Sequence, residues 1–356
     1  MLVYLGMALL TFLMASFIKD RPCFSVYPIF TLKKKNIIFL FLILPSVLIS
    51  GLRFQVGTDY LVYLGRYHYI GSVFAGQPVK MEPLFRVVAE IGRFFSSEQM
   101  VFFIIAAIFS FFSYRFIVEN SKDVGMSCLL FLFSGFFSLS ENLMRQMLGV
   151  AICLYALKYV YTSDFKRYLF YVVVASLFHS MSAIFLPMYF LYKRSSIFKK
   201  KWTGLFFAVC ICLSGVAYKY AYSVMFFLGI KYINYYGSIR DTGSSRIVIV
   251  TTLAVLIFSF IFSSPSAKDF KQNIFMMYFI FFALYFLLLN LPNGNRVAFM
   301  FIPVEIVLLP NVIAGIKHRL MRNVFKWSLV IFFAGFWFYY FYVAGVGETF
   351  PYKSVL

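Results

Sequence analysis

Long apolar runs and short polar segments alternate along the chain. An apolar helix of about 17–20 residues is long enough to cross the hydrocarbon core of a membrane. The pattern therefore predicts an all-α polytopic membrane protein with about ten transmembrane helices. They lie near residues 2–18, 36–52, 100–118, 126–140, 144–161, 203–222, 246–263, 273–290, 297–314 and 327–346.

Residues 168–192 fit either a single span or a short helical hairpin that turns at His179 and Ser180. A single span would place the basic loop 193–201 opposite the other basic loops. A hairpin returns this loop to their side, as the positive-inside rule requires. Each arm has only about a dozen residues, so the tip should end inside the protein, toward the outer half of the membrane. The charge pattern thus favours the hairpin, with His179 at its tip.

The composition excludes a soluble protein and adds little else about function. Residues 1–356 are 62% hydrophobic and 13% charged, and no polar stretch is long enough for a separate domain, so we treat them as a single integral membrane domain. The formal net charge of +20 follows from basic cytoplasmic loops and does not indicate a nucleic-acid partner. The five cysteines lack metal-ligand spacing.

Two long loops, 53–99 and 223–245, face outward in this topology. The first contains EPLFRVVAEIGRFF, in which Pro83 fits the first position of an interfacial amphipathic helix. Arg86, Glu90 and Arg93 lie on one side of that helix, and Phe85, Val88 and Phe95 lie on the other. Both loops are rich in tyrosine, including Tyr60, which is typical either of a membrane interface or of a sugar-binding surface.

Arginines at the outward face are informative, because the positive-inside rule predicts few of them there. Arg53, Arg145 and Arg296 each lie in a polar cluster, respectively LRFQVGTD, ENLMRQ and NGNR. A guanidinium group binds phosphate oxygens in pairs and stays charged at any depth, so several around one cavity would suit a lipid diphosphate. The alternative is a local role, since Arg145 could pair with Glu141 one helical turn away.

Candidate proton acceptors lie on the same face. Asp59 and Glu82 are carboxylates that could activate a sugar hydroxyl, although Asp59 also fits a turn and Glu82 a helix cap. His179 is held in apolar sequence at the proposed hairpin tip, beside Ser180 and Ser182. A lone buried histidine is usually structural, but this position makes a catalytic role equally plausible. No motif of a hydrolase or of an ATP-driven pump is present.

The ordered set of polar motifs resembles the EpsG family of Wzy-type polymerases of bacterial surface polysaccharides. The matching segments are LRFQVGTDY at 52–60 with Tyr63, MEPLF at 81–85, ENLMRQMLGVAI at 141–152, FHSMSAIFLPMY at 178–189, NGNR at 293–296 and PYK at 351–353. Each motif is short, but together they cover nearly the whole chain in the expected order. Arg53, Asp59, Glu82, Arg145, Gln146, His179 and Arg296 match the family's polar positions.

The resemblance implies an inner-membrane glycosyltransferase with GT-C-like architecture that needs neither metal nor cofactor. Such an enzyme acts at the periplasmic face on oligosaccharides linked to undecaprenyl diphosphate, as in O-antigen and lipopolysaccharide synthesis. It moves the growing glycan from its lipid diphosphate onto another lipid-linked repeat unit. A chain-length regulator is a further candidate partner.

These residues suggest a mechanism. Arg145 and Arg296, with Arg53, would stabilise the leaving diphosphate in place of a metal ion. His179, or failing that Glu82 or Asp59, would take the proton of the acceptor hydroxyl. The expected substrate-binding residues are Arg53, Arg296, Glu141, Gln146, Tyr60 and Asn295.

Two other functions remain open at this point. A transporter or flippase of lipid-linked sugars would also use a basic, aromatic cavity, although the paired broken helices of such proteins are not evident in the sequence. A ligase that transfers finished polymer to a lipid core is the second alternative. In a strain in which this protein is disrupted, the product that accumulates distinguishes a polymerase from a flippase and from a ligase.

Overall fold

A computed structural model describes residues 1–18, 33–73, 81–193, 242–262 and 295–356, together with Tyr220, Tyr278, Phe282 and Tyr285. These residues form α1 (Leu2–Ala15), α2 (Lys33–Leu52), α3 (Tyr60–Val73), α4 (Pro83–Phe94), α5 (Glu98–Asn120), α6 (Val124–Phe133), α7 (Phe136–Asn142), α8 (Met144–Tyr161), α9 (Phe165–Phe178), α10 (Met188–Lys193), α11 (Thr242–Phe262), α12 (Asn295–Ala314) and α13 (Arg319–Trp337). A 3-10 helix (Ser180–Phe185) precedes α10, and a π-helix (Phe338–Val343) continues α13.

The all-helical prediction is confirmed for the described residues, and the number of spans stays a prediction. Helices lie at the predicted positions except 203–222 and 273–290, which fall almost entirely outside the described residues. Within the described part, two helices, Glu98–Asn120 and Arg319–Val343, are long and apolar enough to cross a membrane. The bent pair α6 and α7, at 43°, would make a third.

The chain divides into two compact units. The first contains Met1–Tyr189 and Ile316–Leu356, and the second contains Phe190–Gly315. In the second unit, the Tyr278 hydroxyl donates to the buried carboxylate of Glu305 at 3.0 Å, so this acid on the predicted span 297–314 has a hydrogen-bond partner. Most candidate site residues lie in the first unit, while Asn295 and Arg296 begin α12 in the second.

The hairpin predicted at 168–192 is present. Helix α9 ends at Phe178, and His179 takes an extended conformation with φ −156° and ψ 117° before the 3-10 helix begins. The Tyr168 hydroxyl donates to the Phe185 carbonyl at 2.6 Å, and the rings of Phe165 and Tyr189 lie 4.9 Å apart. The second arm therefore runs back along α9 and leaves His179 at the tip.

A glycine in α8 lets the hairpin pack closely on that helix. A Cβ at Gly149 would collide with Ser182 Oγ, so no larger residue fits without a shift of the hairpin. The Cys153 thiol, one turn further along, donates to the Ser182 carbonyl at 3.9 Å. These contacts bring His179 next to the beginning of α8, where Arg145 lies.

Residues 347–355, called the 347–355 segment below, pair with residues 52–58. The two stretches run antiparallel, with a β-bridge between Arg53 and Ser354. Their backbone hydrogen bonds run from Phe54 N to Lys353 O (2.9 Å), Gly57 N to Glu348 O (3.0 Å), Thr58 N to Gly347 O (3.2 Å) and Val355 N to Leu52 O (3.0 Å). This pairing fixes the backbone on both sides of Arg53.

Candidate functional site

The carboxylate of Glu82 joins two candidate residues that are distant in sequence. Arg145 Nη1 donates to Glu82 Oε2 in an ion pair, and His179 Nδ1 lies 3.1 Å from Glu82 Oε1. The three side chains are 13%, 12% and 20% exposed for Arg145, His179 and Glu82 respectively. His179 and Arg145 therefore lie in one cluster, and Glu82 is the residue that holds them together.

The bond to Glu82 fixes the tautomer of His179. An ionised carboxylate only accepts hydrogen bonds, so Nδ1 must carry the proton. In the neutral imidazole, Nε2 then has a free lone pair. Nε2 is buried and has no hydrogen-bond partner among the described residues. The ring is thus oriented at one nitrogen and available as a proton acceptor at the other.

Two aromatic rings hold the Arg145 guanidinium. Its Cζ lies 5.4 Å from the centre of the Phe85 ring and 5.7 Å from that of Tyr63. Cation–π contacts at these distances keep the planar group in place. Arg145 Nε remains without a partner in the described part of the chain. Arg145 therefore keeps a donor for a ligand although Glu82 already occupies Nη1.

Helix ends position each of the three side chains. Arg145 lies on the first turn of α8, and His179 follows the last residue of α9. Glu82 directly precedes α4, which begins with Pro83 as predicted. Glu82 does not cap α4 with its side chain, because the carboxylate turns to Arg145 and His179 instead.

The charges around Glu82 keep it ionised. Burial alone would raise the pKa of this carboxyl, but the hydrogen bond from His179 and the positive charge of Arg145 outweigh burial and lower the pKa. At neutral pH, Glu82 is therefore an acceptor and not a proton donor.

Arg66 is a second cation at this site, and the sequence interpretation missed it. Its Cζ lies 6.0 Å from the centre of the Tyr63 ring, and it interacts electrostatically with Arg145, Glu82 and Asp59. Burial and the nearby Arg145 charge lower the pKa of Arg66. The spacing of Tyr63 and Arg66, one helical turn apart on α3, was the available signal.

Arg53 lies in a different environment. Its side chain is fully buried, with Cζ 5.2 Å from the Phe102 ring centre and Nη2 donating to Met144 Sδ at 3.6 Å. Its Nε and Nη1 have no partner among the described residues. The Tyr60 ring stacks on the Phe102 ring, with the ring centres 4.6 Å apart and the two planes nearly parallel. Arg53 and Tyr60 thus belong together, apart from Glu82.

Glu141 also belongs to the Arg53 environment. It is fully buried and accepts a hydrogen bond from the Tyr4 hydroxyl at 2.8 Å, and that hydroxyl lies 3.2 Å from the Thr349 carbonyl. The local pair between Glu141 and Arg145 considered from the sequence is wrong, because Arg145 pairs with Glu82. Helix α7 ends at Asn142 and α8 begins at Met144, so the two residues do not share a helix face.

The remaining candidate residues lie at the ends of three helices. Asp59 is half-buried before α3 and contributes to the electrostatics of Tyr63 and Arg66. Gln146 is buried in the first turn of α8. Arg296 is half-buried at the start of α12, and Asn295 is the first residue of that helix. Among the described residues, no group of three or more His, Cys, Asp and Glu side chains is arranged to bind a metal ion.

Comparison with known proteins identifies the family of this chain. No curated protein and no solved structure matches the chain at significant similarity. A family model, that of the EpsG family, matches residues 36–354 and so spans α2 through the 347–355 segment. The match covers most of the chain and includes every candidate residue described above, and EpsG-type proteins are Wzy-like polymerases. The chain therefore belongs to the EpsG family.

Proposed function

We propose that this protein is an inner-membrane polysaccharide polymerase that transfers a growing glycan from undecaprenyl diphosphate onto a lipid-linked repeat unit at the periplasmic face. Family membership supports a polymerase or glycosyltransferase role in general. The shared Glu82 carboxylate, with His179 on one oxygen and Arg145 on the other, carries the more specific proposal.

His179 is the proton acceptor in this mechanism. The acceptor hydroxyl gives its proton to Nε2 while its oxygen attacks the anomeric carbon of the donor sugar. The positive charge that forms on the imidazolium is stabilised by the Glu82 carboxylate, which accepts a hydrogen bond from Nδ1–H. Glu82 is therefore a positioning residue and His179 the catalytic base.

Arg145 stabilises the leaving group. As the bond between the sugar and the diphosphate breaks, the electron pair stays on the diphosphate oxygen and negative charge grows there. A fixed guanidinium group stabilises that charge without reorganisation. The rings of Tyr63 and Phe85 hold Arg145 in place, and Arg66 adds a second positive charge nearby. These two cations replace a metal ion in the proposed reaction.

Arg53 and Arg296 keep their proposed roles in substrate binding, with Tyr60, Glu141, Gln146 and Asn295. The side chains of Arg53 and Glu141 are fully enclosed, whereas those of Glu82, Arg145 and His179 are partly exposed. We accordingly assign the chemistry to the Glu82 cluster, defined as Arg66, Glu82, Arg145 and His179.

Replacement of Arg145 tests the proposal. The purified protein is reconstituted with a defined lipid-linked repeat unit, and product length is followed over time. Removing a charge-stabilising donor costs about 10²–10³ in rate, so Arg145→Ala should abolish measurable polymer, and Arg145→Lys should restore part of the rate through its charge. Arg167→Ala is the matched control, because Arg167 is 66% exposed in a surface ion pair with Asp164. Polymer of normal length and rate from Arg145→Ala at equal expression would refute the proposal.

A further inference from the structure

Helix α4, which begins directly after Glu82, has three chemically distinct faces. At 100° per residue, Phe85, Val88, Ala89 and Gly92 form one face, Arg86, Glu90 and Arg93 a second, and Val87, Ile91 and Phe94 a third. Leu84 lies between the first and the third face, so the apolar residues form one wide arc beside the charged face, and this arc is wider than packing on a protein core requires.

The first face is fully used inside the protein. Phe85 and Ala89 are 0% exposed and Val88 is 5% exposed. Phe85 is also one of the rings that hold Arg145. This face therefore forms part of the wall of the Glu82 cluster.

The third face has no protein against it in the described residues. Val87 is 52% exposed, Ile91 39% and Phe94 84%. Phe95, just past the end of α4, is 57% exposed. A contiguous exposed face of this kind marks an interaction site, because water is a poor solvent for it.

The charged face identifies the partner. Arg86 and Arg93 are exposed on the charged face, and the half-buried Glu90 lies between them and the exposed apolar face. The exposed charge of this face is therefore positive, which favours a partner that is apolar at one depth and anionic at its edge. A lipid leaflet has this layering, with acyl chains below phosphate headgroups. The 12-residue helix is about 18 Å long at 1.5 Å per residue, too short to cross a core of about 30 Å, and its charged face opposes insertion across the core.

We propose that α4 lies in the plane of the membrane, with Val87, Ile91 and Phe94 in the acyl region and Arg86 and Arg93 among the headgroups. Because Glu82 precedes the first residue of α4, the Glu82 cluster then lies at headgroup depth. If the proposed function holds, a lipid diphosphate reaches the site by lateral movement within the leaflet, with no need to leave the membrane.

Nitroxide labels on single cysteines test the placement. The full-length chain with its five native cysteines replaced by alanine is labelled in turn at residues 86, 87, 91, 93 and 94 and reconstituted in vesicles of phosphatidylethanolamine and phosphatidylglycerol. Collision with oxygen reports the acyl region, and collision with a water-soluble nickel chelate reports the aqueous phase. We expect oxygen collisions to exceed nickel collisions several-fold at 87, 91 and 94, and the reverse at 86 and 93. Ala89→Cys, on the packed face, should collide little with either.

The outcomes separate the possible occupants of this face. Higher nickel than oxygen collision at Phe94→Cys would mean that the face is in water, and low collision with both would mean that a protein covers it. Either result overturns the proposal. Phe94→Trp and Arg93→Trp in the native-cysteine chain give a second measurement, in which brominated acyl chains should quench the added fluorescence only at position 94. Neither measurement uses turnover, so failure here is distinct from failure of the proposed polymerase activity.

Discussion

Arg145 lies on the first turn of α8, and Arg53 contacts Met144 on the same turn, but the surroundings of the two arginines differ. Arg145 is partly exposed, ion-paired with Glu82 and flanked by two rings. Arg53 is fully enclosed, contacts Met144 and Phe102, and lies on a backbone that the 347–355 segment pairs with. Hydrogen bonds between side chains hold the Glu82 cluster together. In the Arg53 region, which also contains Tyr4, Tyr60 and Glu141, backbone hydrogen bonds to the 347–355 segment fix the chain. Changes in the first should alter chemistry, and changes in the second should alter stability.

The largest expected effect is on His179. General-base catalysis contributes about 10²–10⁴ in rate, so His179→Ala should lower polymer formation at least about a hundredfold. Its melting temperature in detergent should stay close to that of the wild type, since the substitution ends only one hydrogen bond at a partly exposed site. His68→Ala is the control, because His68 is 62% exposed and pairs with Glu98 at the surface. Full activity in His179→Ala would remove it as the base.

Glu82→Gln should come next. The amide oxygen can still accept from Nδ1, but the negative charge that stabilises the imidazolium is lost, so the rate should fall by about tenfold or more. A pH profile separates positioning from simple packing. Loss of the carboxylate should make the imidazolium of His179 less stable. The pH at which the rate rises as His179 loses its proton should therefore shift to a lower value. An unchanged profile with a lower rate would contradict the positioning role.

The ion pair of Glu82 also predicts a dependence of stability on pH. Because the folded pKa of Glu82 lies below its ordinary value, the pair stabilises the fold above the ordinary carboxyl range, near about pH 4.3, and loses this contribution as the pH falls through the lowered pKa. The stability difference between wild type and Glu82→Gln should therefore be constant near neutrality and shrink in acid. Melting curves across pH measure it, and a difference that grows in acid would show that Glu82 is not held ionised.

Gly347→Ala should mainly destabilise the Arg53 region. Gly347 has φ +82°, and a Cβ there would collide with Asn142 Nδ2. The side-chain oxygen of Asn142 accepts a hydrogen bond from Thr58 N at 2.7 Å. Strain of this kind costs about 1–3 kcal/mol, with a lower melting temperature and activity that follows the folded fraction. Gly345→Ala is the matched control, since Gly345 has φ +65° but open space around a Cβ. An equal effect of both substitutions would mean that packing on Asn142 is unimportant.

Tyr4→Phe should give the smallest change in rate. It removes the donor to the buried Glu141 carboxylate and should cost about 1–3 kcal/mol in stability. The rate per folded molecule should be nearly unaffected, because Tyr4 belongs to the Arg53 region. Tyr339→Phe, at a residue that is 56% exposed, is the control for melting in detergent. A loss of rate without a loss of stability would connect the two regions chemically.

Some of this arrangement followed from the sequence. The positive-inside rule located the hairpin tip at His179, because only a returning chain kept residues 193–201 with the other basic loops. Apolar length and the proline at position 83 located most helices and the start of α4. Both inferences depend on local properties that the chain carries in single segments.

The pairings did not follow from the sequence. Glu82 and Arg145 are 63 residues apart, and Tyr4 and Glu141 are 137 apart. A break at Leu143 separates Glu141 from Arg145, so the spacing of four residues between them misled the local interpretation. Arg66 was missed because its charge lies among tyrosines that also fit a membrane interface. Long-range packing decides such contacts, and one sequence does not encode it in any visible period.

The pairing of residues 52–58 with the 347–355 segment also sets the order in which the molecule can be completed during synthesis. Residues 52–58 leave the ribosome long before their backbone partners, which exist only once translation has reached residue 355. Until then, the first unit can insert its helices but cannot close around Arg53. In the nascent chain, residues 52–58 therefore stay without these partners until residues 347–355 have been made, and translation arrested before residue 347 should leave a chain that proteases cut near residue 55.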